Sequence, residues 1–131
     1  MTPELTVLVI AALLLVVHFC WVAVRANLEI GTEYFLTPRD DAPPRELSPG
    51  LARLRRAFAN HLETFPLFIV AVVALALAGK SSGLTVACAW LYLGARVLYV
   101  PAYLYGWNPG RSLIWAVGFA ATLIMLVAAL L

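Results

Sequence analysis

Apolar residues fall in four long blocks separated by polar or turn-forming stretches. Leu5 to Val24 comes close to the roughly 20 residues a helix needs to cross a bilayer core. Phe65 to Ala78 is shorter and predicts a helix that also draws in the preceding turn, with Asn60, His61 and Glu63. Leu84 to Leu104 carries one charge, Arg96, and Ser112 to Leu131 carries none. The blocks predict an all-α integral membrane protein, a four-transmembrane-helix bundle forming one domain over 1–131. The helices are expected near 3–27, 49–79, 83–105 and 109–131. Lys80–Gly83 and Gly106–Gly110 are short connections, which makes their flanking helices antiparallel neighbours. The connection 28–48 is polar and turn-rich, punctuated by Gly31, Pro38, Pro43 and Pro44. Ser48-Pro49 and Asn108-Pro109 each read as an N-cap followed by a first helical residue.

Composition narrows the class. The chain is 63% hydrophobic and 12% charged, whereas soluble domains run about half apolar and a quarter charged. That excludes an ordinary soluble domain, and such apolar content cannot stay solvated as a disordered chain. A net charge of +2 with no basic stripe outside one loop speaks against nucleic acid as a partner. The first block is long, and Glu4 precedes it without a Lys or Arg, unlike a signal peptide. Cys20 and Cys88 lie in apolar blocks and read as small packing residues. His18 and His61 lack zinc-ligand spacing, so no metal is expected, and His18 reads as an interhelical hydrogen-bonder. Arg25, Arg39, Arg45, Arg53, Arg55 and Arg56 cluster around the long connection, Arg111 falls at the same side, and Lys80 alone marks the other. The positive-inside rule then puts both Arg-bearing connections in the cytoplasm and both termini outside.

Charges within the spans are the chemical signal, because each costs at least about 2.5–3.5 kcal/mol at the bilayer centre. Arg56, Asn60 and Glu63 follow an i, i+4, i+7 pattern and share one helix face, with Arg53 a turn earlier. Arg96, Tyr99 and Tyr103 share a face of the third helix, Arg25 ends the first and Arg111 begins the fourth. Arginine forks suit carboxylates, Glu63 suits an ammonium and Asn60 suits a peptide group. A small zwitterionic peptide with more carboxylates than amines matches that list, and an apolar co-substrate could enter sideways from lipid. A structural reading stands beside it. Glu63 could neutralise Arg56 or Arg96, Arg25 and Arg53 could be interfacial anchors, and the tyrosines could belong to an aromatic belt.

The segment Arg56-Ala57-Phe58-Ala59-Asn60-His61-Leu62-Glu63-Thr64-Phe65-Pro66-Leu67-Phe68 resembles the R-x-x-x-N-x-x-E-x-F-P-L-F signature of the MAPEG family, the membrane-associated proteins of eicosanoid and glutathione metabolism. Arg96-x-x-Tyr99-x-x-x-Tyr103 and Arg111-Ser112 resemble two further family segments, and Gly31 to Asp41 resembles bacterial members. The resemblance implies a homotrimer with glutathione between subunits on the cytoplasmic side, in a bacterial inner membrane. It implies glutathione contacts from Arg25, Arg53, Arg56, Asn60, Glu63, Arg96, Tyr99 and Tyr103, with Arg111 stabilising the thiolate and Ser112 adding a hydrogen bond. The implied activity is that of a glutathione transferase or peroxidase acting on apolar electrophiles or lipid hydroperoxides, a detoxification role. The family's alternative is a non-catalytic lipid-binding or scaffold protein. Ala59 and Thr64 depart from the Arg and Tyr that some members carry there.

Overall fold

The computed structural model describes residues 1–131 and is all-helical. Four helices are long and apolar enough to cross a membrane: α1 (Pro3–Ile30), α3 (Pro49–Ala78), α4 (Gly83–Leu104) and α5 (Gly110–Leu130). The long connection holds one short helix, α2 (Thr32–Leu36), which the turn-rich sequence did not suggest.

Local chemistry sets the helix ends. α1 runs on to Ile30 rather than ending near 27. The Asn27 amide donates back to the Ala23 carbonyl at 2.8 Å, and Arg25 pairs with Glu29 one turn on at 3.0 Å. Both contacts favour one more helical turn, which stops at Gly31 with φ 112°. Ser48 caps α3 as its pattern predicts, accepting from the Leu51 N–H at 3.1 Å ahead of Pro49. Asn108 does not cap α5. Pro109 occupies the cap position at φ −88°, ψ 8°, and helix begins only at Gly110. The preceding turn satisfies one end donor instead, Arg111 N–H to the Trp107 carbonyl at 2.9 Å, and the regular helical bonds begin with Leu113 N–H to the Pro109 carbonyl at 3.2 Å.

Lipid tails are as apolar as leucine, so these helices associate through close packing and polar contacts rather than water exclusion. Ala11, Ala71, Ala89 and Ala121 lie in the shared core and let backbones approach. α4 and α5 come closest: a Cβ on Gly118 would sit 3.2 Å from the Ala95 Cβ. In the core Phe68 stacks on Tyr92, centroids 3.9 Å apart and 11° from parallel. Cys88 packs in this core as expected, whereas Cys20 lies exposed on the outside of α1. Sequence distance misled about the histidines, whose rings are 6.1 Å apart between α1 and α3. His18 is packed against the edge of Phe58, and neither of its nitrogens completes the interhelical hydrogen bond expected of it, although the Leu54 carbonyl lies near.

The end of the bundle opposite the arginines is stapled. The Glu4 carboxylate accepts from the Ser81 hydroxyl at 2.8 and 2.9 Å and from the Thr85 hydroxyl at 2.5 Å. Glu4 is buried, 1% exposed. Lys80 Nζ donates to the Ala129 carbonyl at 3.0 Å, satisfying an orphan acceptor at the end of α5. Glu4→Ala removes the charged acceptor of two hydroxyls and should destabilise the bundle by about 1–3 kcal/mol. Detergent-titration unfolding checks this; Glu4→Gln, which keeps an acceptor, should recover part of the loss, and a cost below about 0.5 kcal/mol for Glu4→Ala would discount the staple.

Candidate functional site

The predicted face of α3 does meet the faces of α4 and α5. Arg56, Ala59, Asn60 and Glu63 from α3, Tyr99 and Tyr103 from α4, and Arg111 from α5 line one open cleft of about 260 Å³. The helical spacing explains the convergence, since each helix presents its polar residues on a single stripe at the Arg-rich end.

Tyr103 organises the cleft. The Arg56 Nε donates to its hydroxyl at 3.0 Å, with the guanidinium 5.7 Å from the ring centroid. The Arg111 guanidinium lies over the same ring at 4.8 Å. Tyr99 is buried and meets Tyr103 at 5.8 Å, 66° from parallel. Glu63 is exposed, and the one ion pair of the chain, Arg25–Glu29, lies elsewhere. The neutralising partnership of Glu63 with Arg56 or Arg96 is therefore not formed. Two guanidiniums and one carboxylate face the cleft with their charges uncommitted, a set that a ligand bearing both carboxylate and ammonium would satisfy.

The other candidate residues sit outside this cleft. Arg96 lies behind it, 4% exposed, donating from Nη1 to the Asn60 Oδ1 at 3.0 Å with its guanidinium 4.5 Å from the Tyr99 centroid. Arginine only donates, so the bond occupies Asn60's carbonyl and leaves its NH₂ to face a ligand. Arg53 donates to the Leu104 carbonyl at 3.0 Å and ties α3 to the end of α4. Arg25 is held by Glu29 and by the Ser48 hydroxyl, at 3.5 Å. Ser112 is exposed and does not line the cleft. No group of three or more potential metal ligands is present.

An apolar groove runs along the outside of α4 and α5. Ala87, Trp90, Leu91, Gly94, Ala95, Leu98, Ile114 and Val117 line about 580 Å³. Its surface offers lipid-soluble molecules a seat within the membrane. Sequence reasoning expected an apolar co-substrate to enter from lipid but did not locate this groove, because small Gly94 and Ala95 are unremarkable until α5 is laid beside them. It also missed the polar staple at Glu4, for which the available signal was a carboxylate in the first turn of a span at the same end as the hydroxyls of Ser81 and Thr85.

Compared with curated proteins, the chain finds no match. The sequence model of the MAPEG family matches residues 5–131, nearly the whole chain and every cleft residue. On that match the chain belongs to the MAPEG family.

Proposed function

We propose that this protein is a membrane-embedded glutathione transferase or peroxidase working on apolar electrophiles or lipid hydroperoxides. One observation carries the reading: Arg56, Asn60, Glu63, Tyr99, Tyr103 and Arg111 share a cleft with no charge partner of their own. Glutathione has two carboxylates, one ammonium and two peptide groups. The guanidiniums take the carboxylates, Glu63 takes the ammonium, and the free NH₂ of Asn60 donates to a peptide carbonyl. Arg111 lies beside the sulfur and favours the thiolate over the thiol. In transfer, the thiolate sulfur forms a bond to an electrophilic carbon, and the leaving group departs with the electron pair. In peroxide reduction, two glutathione molecules become a disulfide while the hydroperoxide gives an alcohol and water.

The assembly follows the same reading. The protein works as a homotrimer, where Arg25, remote from its own chain's cleft, reaches that of a neighbouring copy. The arginine-rich end faces the cytoplasm, where a bacterial inner-membrane protein finds glutathione, and the termini face out. The apolar groove of α4 and α5 supplies the lipid-soluble partner. A non-catalytic lipid-presenting role would use that groove alone.

Calorimetric titration of the purified protein with glutathione tests the reading. Binding at millimolar concentrations or tighter is expected, and Arg56→Ala should raise Kd about tenfold, the weight of a charge-assisted hydrogen bond. Absence of binding by the wild type at those concentrations would overturn it in favour of the lipid-presenting role.

A further inference from the structure

Behind the cleft, α3, α4 and α5 border a second, small void with a mainly apolar lining and a few polar groups. Its volume is about 10 Å³, room for one small guest. Tyr92, Arg96 and Trp115 are among its lining residues. The Arg96 Nε and the Trp115 Nε1 are buried without a hydrogen-bond partner, and the Tyr92 hydroxyl forms no bond of good geometry although the Thr64 hydroxyl lies near it. Tyr92 and Arg96 are 2% and 4% exposed. Buried donors are almost always satisfied, so these groups around one void call for an occupant. Thr64 and Thr122 also border it, but their hydroxyl hydrogens go to the carbonyls of Asn60 and Gly118.

We propose that this void binds one small monovalent anion of the chloride class, held by Arg96 Nε, Trp115 Nε1 and the Tyr92 hydroxyl. The donor set is matched to an acceptor, because guanidinium and indole nitrogens donate only. Charge decides between an ion and a water molecule. Arg96 lies within a span and has no carboxylate partner, since the chain's one ion pair is Arg25–Glu29. Water would satisfy the hydrogen bonds and leave the cation uncompensated, whereas a halide does both. A halide is larger than water, so its entry requires the partly buried Trp115, stacked on Phe119, to shift outward. The guanidinium has two ends in use: Nη1 holds Asn60 toward the cleft, and Nε faces the void. An anion at Nε therefore steadies the donor that Asn60 presents. The site stands whatever ligand the cleft takes.

The test uses the full chain in detergent micelles, freed of halide in gluconate buffer. Sodium bromide replaces sodium gluconate at constant ionic strength while thermal stability is followed. A saturable rise in melting temperature with bromide is expected. Tyr92→Phe keeps the ring that stacks on Phe68 and removes the hydroxyl. It should raise the half-saturating bromide concentration about tenfold, the effect of losing a hydrogen bond to a charged group. Trp115→Phe should act in the same direction and guards against misfolding of the first variant. Crystals grown in bromide should show an anomalous peak among the three donor atoms. A bromide curve identical to gluconate, an unchanged half-saturation in both variants, or ordered water without an anomalous peak would each overturn the proposal.

Discussion

Replacing Arg111 with alanine is expected to lower glutathione-dependent turnover by about a hundredfold or more, the loss that follows removal of one preorganised charge stabiliser. Glutathione binding should weaken far less, because Arg56, Asn60, Glu63 and Tyr99 remain in the cleft. The asymmetry comes from what each group faces. Arg56 is tied to the Tyr103 hydroxyl, whereas the Arg111 guanidinium rests on the ring face with its N–H groups free. Ultraviolet difference absorbance for the bound thiolate, beside turnover with a model electrophile, separates the contributions. The thiolate band should vanish in Arg111→Ala and partly survive in Arg111→Lys, which keeps the charge without the fork. Unchanged turnover would remove Arg111 from the chemistry. Equal losses in binding and turnover would make it a binding residue.

The largest effect on stability is expected at Phe68. Its side chain is fully buried, stacked on Tyr92 and tilted against Phe65 with centroids 6.5 Å apart. Phe68→Ala should cost about 3–5 kcal/mol in detergent-titration unfolding. The loss has to be counted as packing rather than hydrophobicity, because lipid or detergent solvates a phenyl ring as readily as the core does. Phe68→Leu fills most of the space and should recover much of the loss. A cost below about 1 kcal/mol for the alanine variant would mean that neighbouring helices collapse into the gap.

Block length and helical period made the four spans and the α3 stripe legible in the sequence. Arg56, Asn60 and Glu63 share a face by spacing, as do Tyr99 and Tyr103 on the next span, and Arg111 was marked by its place at the start of the last; family resemblance gave each a ligand role. Period says which residues share a face but not how far into a bundle that face turns. Arg96 illustrates the limit: it has the right spacing to Tyr99 and Tyr103, yet its guanidinium ends behind the cleft on Asn60. Glu4 illustrates another, since its partners Ser81 and Thr85 are joined to it only by the packing of α1 against α4. The helix-end errors have a different origin. At Asn27 a side chain folding back on its own helix extended α1, and at Pro109 a turn supplied the bonds expected from Asn108.

Cys20 and Cys88 divide the thiol chemistry of the chain unequally, one on the outer surface and one sealed in the core. A methanethiosulfonate spin label should therefore attach once per chain without any engineered cysteine. Dipolar coupling between those labels in a single micelle then becomes a census of subunits, read from modulation depth and independent of enzymatic activity. Three coupled spins would mark a trimer, and the measured spacing would report how far apart the α1 helices stand around its axis.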